Sequence, residues 1–335
     1  MKKIISLFLA LMLLLGCVQI AAAEETELAV GVLSMLNMTE EQYLAYSEGR
    51  VLAMKYLSKK GAYLSDRDLF LRPKPPTRAV FYDRLTDLTM ALESGAIGNA
   101  RLPQSTAAYV CAHNDKLKQR GTFSLQDADD ITKLVAYRLG VSFSFLLLED
   151  KAALRDEIDQ ALTSMKEDGT LAALVQACIL DAADKDPEPL KFPQEGGETI
   201  KVAITGELPP MDYVAPDGTP AGFNAALLAE LGTRMNKNFE LVQVGSSGRS
   251  LALSEGLVDM VFWTNGLDER LESSRMTAEE HTEFMKDKPE EVRELMESIS
   301  GGLDYDQEKF MDIPQGTIMT QPFFNDLIVS VGLKE

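Results

Sequence analysis

LALSEGLVDMVFW (251–263) recurs in outline as MALESGAIGNARL (90–102). Laid residue on residue, Ala252 matches Ala91, Leu253 matches Leu92, Gly256 matches Gly95 and Val258 matches Ile97. In each copy an apolar helical end runs into a glycine, which suits a helix C-terminus, and then into a short strand-like run. A helix–turn–strand unit used twice implies two α/β units, one in each half of the chain.

The flanking sequence extends each copy. Upstream of the first, LAVGVL (28–33) and RAVFYD (78–83) read as strands, and VSFSFLLLED (141–150) follows as a third. A helix after Thr39 has apolar positions at Tyr43, Leu44, Val51, Leu52 and Tyr56; Thr39 with Gln42 suits an N-cap and capping box. Another helix carries Leu154, Ile158, Leu162 and Met165 on one face. The second half has strand patterns at TIKVAITG (199–206), FELVQV (239–244) and FFNDLIVSVGL (323–333), and a helix with Phe223, Leu227, Leu228 and Leu231. Strands alternating with helices predict two α/β lobes with mostly parallel sheets flanked by helices. Residues 181–198, DAADKDPEPLKFPQEGGE, have little to bury. The expected division is a first lobe over 24–183, a linker over 184–198 and a second lobe over 199–335. The second lobe includes a charged helical insertion at 267–312, with Leu295, Met296 and Ile299 as a thin apolar stripe.

A length of 335 residues suits two domains, and the formal net charge of −19 makes nucleic acid and anionic lipid poor partners. Lys2 and Lys3 precede an apolar run, Ile4 to Leu15, that is too short to span a bilayer but fits an export signal over 1–23. Two cleavage sites compete. Leu14-Leu15-Gly16-Cys17 resembles the lipobox of bacterial lipoproteins, with a signal over 1–16 and a lipid on Cys17; Ala21-Ala22-Ala23 suits ordinary secretion. The first abuts the apolar run, which favours a lipid-anchored protein of the cell envelope. Either cleavage removes both lysines and takes the charge to −21. Cys111 and Cys178 sit in apolar settings that favour buried free thiols, with a bridge as the alternative.

IKVAITGELPPMDYVAPDGTPAGFNAALLAELGTRMN (200–236) resembles the opening of bacterial solute-binding proteins of family 3, the type II periplasmic binding proteins of amino-acid ABC importers. The resemblance rests on Pro209-Pro210-Met211, Asp217-Gly218 and Gly222-Phe223, then on LALSEGLVDMVFW and on Gln321-Pro322-Phe323-Phe324. LRDEIDQALTSMKEDGTLAALVQ (154–176) resembles the family's C-terminal helix pair. An ordinary member inserts its second lobe after the third strand. Here that place holds 267–312, so the resemblance implies an atypical tandem-lobe form.

Ligands of open α/β sheets gather at the carboxyl ends of strands. In the second half these ends carry Glu207, Tyr213, Ser246, Ser247, Arg249, Trp263, Thr264 and Arg270. Trp263, the sole tryptophan, is either a stacking wall for a ligand or a core aromatic. The resemblance implies a carboxylate-clamping arginine just after this strand. Arg270 is the nearest match, one residue short of the usual spacing, with Leu267 where the family has threonine; Arg249 is a second candidate. Ser34, Asn37, Tyr82, Asp83, Asn99 and Arg101 hold the corresponding places in the first half and read as surface loop rather than ligand contacts.

Signals of catalysis are thin. His113 and His281 lack metal-ligand spacing, GSSGRS (245–250) has no elbow around it, and no phosphate-binding glycine pattern occurs. Asp304-Tyr305-Asp306 lacks the glycine of a calcium loop. The expectation is a protein without enzymatic activity, cofactor or metal. The resemblance implies a binding component for an amino acid or similar small polar solute, working with a membrane ABC permease. The alternative is a degenerate interaction or sensory module of the cell envelope.

Overall fold

The computed structural model describes residues 29–34, 39–65, 76–190, 197–270, 278–299 and 314–334. Cys17 and both cleavage sites, Asn37 and Asp304-Tyr305-Asp306 lie outside them. Along the chain, β1 (Ala29–Leu33) leads to α1 (Glu40–Lys59), β2 (Tyr63–Ser65), β3 (Arg78–Tyr82), α2 (Leu85–Glu93), β4 (Asn99–Pro103) and α3 (Gln104–His113). Then come β5 (Leu117–Gln119), β6 (Gly121–Phe123), α4 (Asp130–Tyr137), β7 (Gly140–Leu148), α5 (Ala152–Glu167) and α6 (Thr170–Val175). Next, β8 (Thr199–Ile204), the hairpin β9 (Tyr213–Val214) and β10 (Pro220–Ala221), α7 (Gly222–Met235), β11 (Asn238–Gln243), α8 (Arg249–Ser254) and β12 (Met260–Leu267) follow. The last elements are α9 (Ala278–Lys286), α10 (Glu290–Ile299), β13 (Thr317–Met319) and β14 (Phe324–Leu333).

One sheet runs β11-β8-β12-β7-β14-β4-β1-β3, with β13 on β7 and β5 on β14. Its outer strands pair in parallel on each side, β3-β1-β4 and β11-β8-β12, and helices flank them. Both sides share one plan: three parallel strands, an antiparallel fourth and a short antiparallel fifth. The fold is α/β, as expected, and the echo is the matching turn of each wing. Ser94, Gly95 and Ile97 donate backbone N–H groups to Met90, Leu92 and Ala91 at 2.9, 3.1 and 3.3 Å. Glu255, Gly256 and Val258 donate to Leu251, Leu253 and Ala252 at the same three distances. Gly95 and Gly256 take φ of 75° and 67°, a backbone that favours glycine.

The tandem arrangement differs from what forms. The fourth strand of each wing comes from the other half of the chain. β7, from the first half, pairs with β12 and β13; β14, from the second, pairs with β4 and β5. The two fourth strands then pair with each other, Phe324 opposite Phe143 through Leu327 opposite Gly140. Both are long and largely buried, VSFSFLLL and FNDLIVSVGL, so each can serve as a central strand with two neighbours. The helix pair α5 and α6 also joins the second half. Ile158, Leu162, Met165 and Leu171 pack in one core with Leu227, Leu228 and Leu231 of α7. Arg234 of α7 bonds Ser164 and Thr170 and pairs with Asp168 at 2.7 Å. An element resembling the family's end therefore stands in the chain before the strand resembling its beginning.

The charged insertion has a structural job. Met285, Val292, Leu295 and Met296 bury their side chains against Ala53, Tyr56 and Leu57 of α1 and Leu134 and Val135 of α4. Its described helices cover the outer layer of the first wing rather than the strand ends. Among the described residues no helix is long and apolar enough to cross a membrane. Cys111 and Cys178 are free, and each is only partly buried, less than their apolar settings suggest.

Candidate functional site

The carboxyl ends of the parallel strands of both wings face each other, and the hydrogen bonds that cross the gap include these three. Arg249 Nη2 donates to the Ser34 carbonyl at 3.3 Å. Ser247 Oγ donates to Asp83 Oδ2 at 2.8 Å. The Leu85 N–H, at the start of α2, donates to Glu207 Oε2 at 2.6 Å. Hydrogen bonds from Ser34 and Ser247 hold the Asp83 carboxyl below its ordinary range. Burial pushes Glu207 up against the opposing pull of the Leu85 N–H. Ser34 and Asp83, read from the sequence as surface loop, are thus contact residues of this cleft.

Arg249 is fully buried and held on several sides. Nε donates to the Ser246 carbonyl and Nη1 to the Trp263 carbonyl, both at 2.9 Å. Its guanidinium lies 3.7 Å from the centre of the Trp263 ring. Ser246 beside it buries a hydroxyl oxygen that has no partner among the described residues. Asn265, on β12, likewise buries an unpartnered amide oxygen.

Trp263 is a core aromatic, not an open stacking wall. It is buried under Arg249 and meets Phe143 edge to face at 6.2 Å. Its indole N–H donates to Asp212 Oδ2 at 2.9 Å. Asp212, also fully buried, accepts from the Thr205 N–H, the Thr205 hydroxyl and Asn224 Nδ2 at 2.9, 2.8 and 2.9 Å. Four donors satisfy a carboxylate whose burial still pushes its pKa up. The Pro209-Pro210 turn closes on itself as well. The carbonyls of Pro210 and Met211 accept from Phe223 and Asn224, the first N–H groups of α7, so this helix start serves the fold. A Cβ at Gly222, where φ is 77°, would stand 2.9 Å from the Pro210 oxygen. Sequence reading missed Asp212; an aspartate just past the Pro-Pro turn is its one visible signal.

The remaining sequence-chosen residues disperse. Thr264 is buried on β12. Tyr213 meets Tyr109 of α3 edge-on at 6.2 Å. Arg270 stands where the wings cross, bonded through Nε and Nη2 to the buried Asp268 and stacked 4.5 Å from the Tyr137 ring centre. It is held by a neighbouring carboxylate and makes none of those three bonds across the cleft. Burial pushes both Asp268 and Asp326 up. Asp326 accepts from the N–H and hydroxyl of Ser105 at 2.9 and 2.7 Å. His113 stacks on Tyr109, and His281 lies far along the chain on α9. Among the described residues no group of three or more histidines, cysteines or carboxylates could hold a metal ion. Arg101 and Asn99 are not surface loop: they face α1 from within the first wing, where Arg101 Nε and Asn99 Oδ1 are buried.

Residues 200–288 match the family described as bacterial extracellular solute-binding proteins, family 3. The match covers 200–236 and 251–263 of the sequence resemblance and leaves 154–176 and 321–324 outside it. No curated protein matches the chain. Similar solved structures include the ligand-binding component of an ABC-type import system from Staphylococcus aureus, solved with zinc bound. It is 12% identical, with 91% of this chain and 65% of that one covered, at a TM-score of 0.34. A phosphate-binding protein of a phosphate ABC transporter from Streptococcus pneumoniae is 12% identical, with 91% and 88% covered, at 0.31. The periplasmic aliphatic sulphonate binding protein of Escherichia coli is 12% identical, with 92% and 61% covered, at 0.32. The chain spans about two thirds of the first of these and less of the last.

Proposed function

We propose that this protein is the solute-binding component of an ABC importer, exported to the cell envelope and held there by a lipid on Cys17. An amino acid or similar small polar solute binds in the cleft between the wings. One observation carries the reading: the carboxyl ends of both sets of parallel strands meet at one cleft, and cationic Arg249 and the unpartnered Ser246 hydroxyl lie together there. A carboxylate entering beside Arg249 would replace the bond to Ser34, which at 3.3 Å is longer than the 2.9 Å bonds to the Ser246 and Trp263 carbonyls. The match over residues 200–288 supports the same class of function. The membrane permease is the partner that such a role requires.

The test is thermal unfolding of the mature protein against a panel of amino acids. A solute that binds the native state at about 100 times its Kd adds about 2.7 kcal/mol and raises the midpoint. Arg249→Ala should then weaken binding roughly ten- to a hundredfold, the loss of one charge-assisted hydrogen bond. A solute held equally well by Arg249→Ala would disprove the clamp. For the anchor, Cys17→Ser should release the protein from membrane fractions; an N-terminus at Glu24 would contradict lipidation.

A second reading, a degenerate interaction or sensory module, is favoured by the contacts already bridging the cleft and by the pairing of Arg270 with Asp268. A panel in which no solute moves the midpoint would select it.

A further inference from the structure

Away from the cleft, the first wing holds two arginines, Arg50 buried and Arg101 partly buried, that face no acid among the described residues. Arg50, in the middle of α1, is 1% exposed. Its Nη2 donates to the Ile328 carbonyl of β14, while Nε and Nη1 are buried without a partner. Arg101, on β4, donates through Nη1 to Ser330 Oγ at 2.7 Å, two residues further along β14, and its Nε is likewise buried and unpartnered. Burial, and then the charge of Arg50, depress the pKa of Arg101, as close like charges in a poorly solvated space must. Tyr43, Tyr46 and Tyr63 stand near Arg101, and Asn99 shares its strand face. Tyr43 supplies no counter-charge: burial pushes its phenol up to about 12. Neither arginine pairs with a carboxylate among the described residues.

Two guanidinium groups with three idle, buried donor nitrogens form a costly arrangement. An uncompensated buried charge penalises folding severely unless an opposite charge joins it. Arginine cannot escape by losing its proton at physiological pH. The missing component must be negative, small enough for an interior site between α1 and β4, and able to accept from several N–H groups at once.

We infer that Arg50 and Arg101 form an internal binding site for a small inorganic anion of halide size, which completes the interior of the first wing. The site lies between the outer helical layer and the sheet, apart from the cleft, and holds whether or not the cleft binds a solute. The anion accepts from Arg50 Nε and Nη1 and from Arg101 Nε, and Asn99 can turn its amide to add a donor.

The purified full chain is melted at constant ionic strength in sodium gluconate, whose anion is too large to enter. The gluconate is then replaced stepwise by chloride or bromide. The site predicts a saturable rise of a few degrees in the midpoint. Arg101→Met should abolish the rise. In gluconate it should melt no lower than the parent, because it removes one of two unneutralised charges; an arginine with a merely structural role would lose stability in both salts. An unchanged parent midpoint, or a rise that survives in Arg101→Met, overturns the site. Should that variant fail to fold, crystals of the parent grown in bromide decide. Anomalous density at hydrogen-bonding distance from Arg50 Nη1 and Arg101 Nε supports the proposal, and its absence there refutes it.

Discussion

The two wings are built alike but satisfy their buried charges differently. The wing of β8, β11 and β12 hides an acid, Asp212, and surrounds it with four donors from Thr205, Asn224 and Trp263. The wing of β1, β3 and β4 hides two bases, Arg50 and Arg101, and leaves three of their nitrogen donors idle. The backbone plan is the same to the hydrogen bonds of the echoed turn. What differs is how the buried charges are answered: Asp212 finds its donors within its own wing, and Arg50 and Arg101 leave donors idle among the described residues. Duplicated architecture fixes where strands lie, and leaves each interior to find its own partners.

The largest expected effect tests whether the wings can be separated at all. Residues 24–183 and 199–335, produced apart, should each fail to unfold cooperatively, because each lacks the fourth strand of its wing. Mixed together, they should regain a cooperative transition by circular dichroism. A half that folds alone would restore the tandem arrangement. Next, Asp212→Ala should cost about 3 kcal/mol or more in urea unfolding, since it strands several buried donors at about 1–3 kcal/mol each. A loss under 1 kcal/mol would mean that this interior is no better satisfied than the other. Smaller again, Gly95→Ala and Gly256→Ala should each cost about 1–2 kcal/mol, and nearly equally, because both place a side chain at positive φ in open space. Unequal costs would show that the turns are alike only in outline.

The smallest effect lies where the wings join. Burial holds Asp326 above its ordinary value, so the folded state favours its protonated form. Its contribution to stability is full below about pH 4 and is lost as pH rises through the raised value. Stability of Asp326→Asn should therefore fall less than that of the parent between pH 4 and 7. Parallel slopes in denaturant titrations at each pH would remove Asp326 from the account.

The local units were readable, and the long-range pairing was not. Leu92 and Gly95, or Leu253 and Gly256, announce a helix end through spacing and a glycine, and the structure keeps both turns. VSFSFLLL announces a buried strand, but an apolar run carries no label for its neighbours, so its place beside β12 was hidden. The helices 152–175 were visible by period; that they pack on α7 across the linker was not. At the site, Ser247 and Arg249 follow from their place at strand ends. Asp83 and Ser34 were discounted because loop residues look alike until the facing wing is known. Arg50 lies in YSEGR (46–50), a polar run with no apolar spacing to mark its inner side; Ser47 and Arg50 are turned inward.

The exchange of β7 and β14 also sets a timetable. A ribosome making this chain delivers β1, β3 and β4 early, but their antiparallel neighbour is residues 324–333. Until translation passes that point, β4 presents an unpaired edge, open to wrong partners. The second wing has its fourth strand in hand, since β7 is already made when β8 and β12 appear, and waits only for the short β13. The later-synthesised wing can thus assemble its four long strands before the earlier one, which is sealed only once β14 emerges.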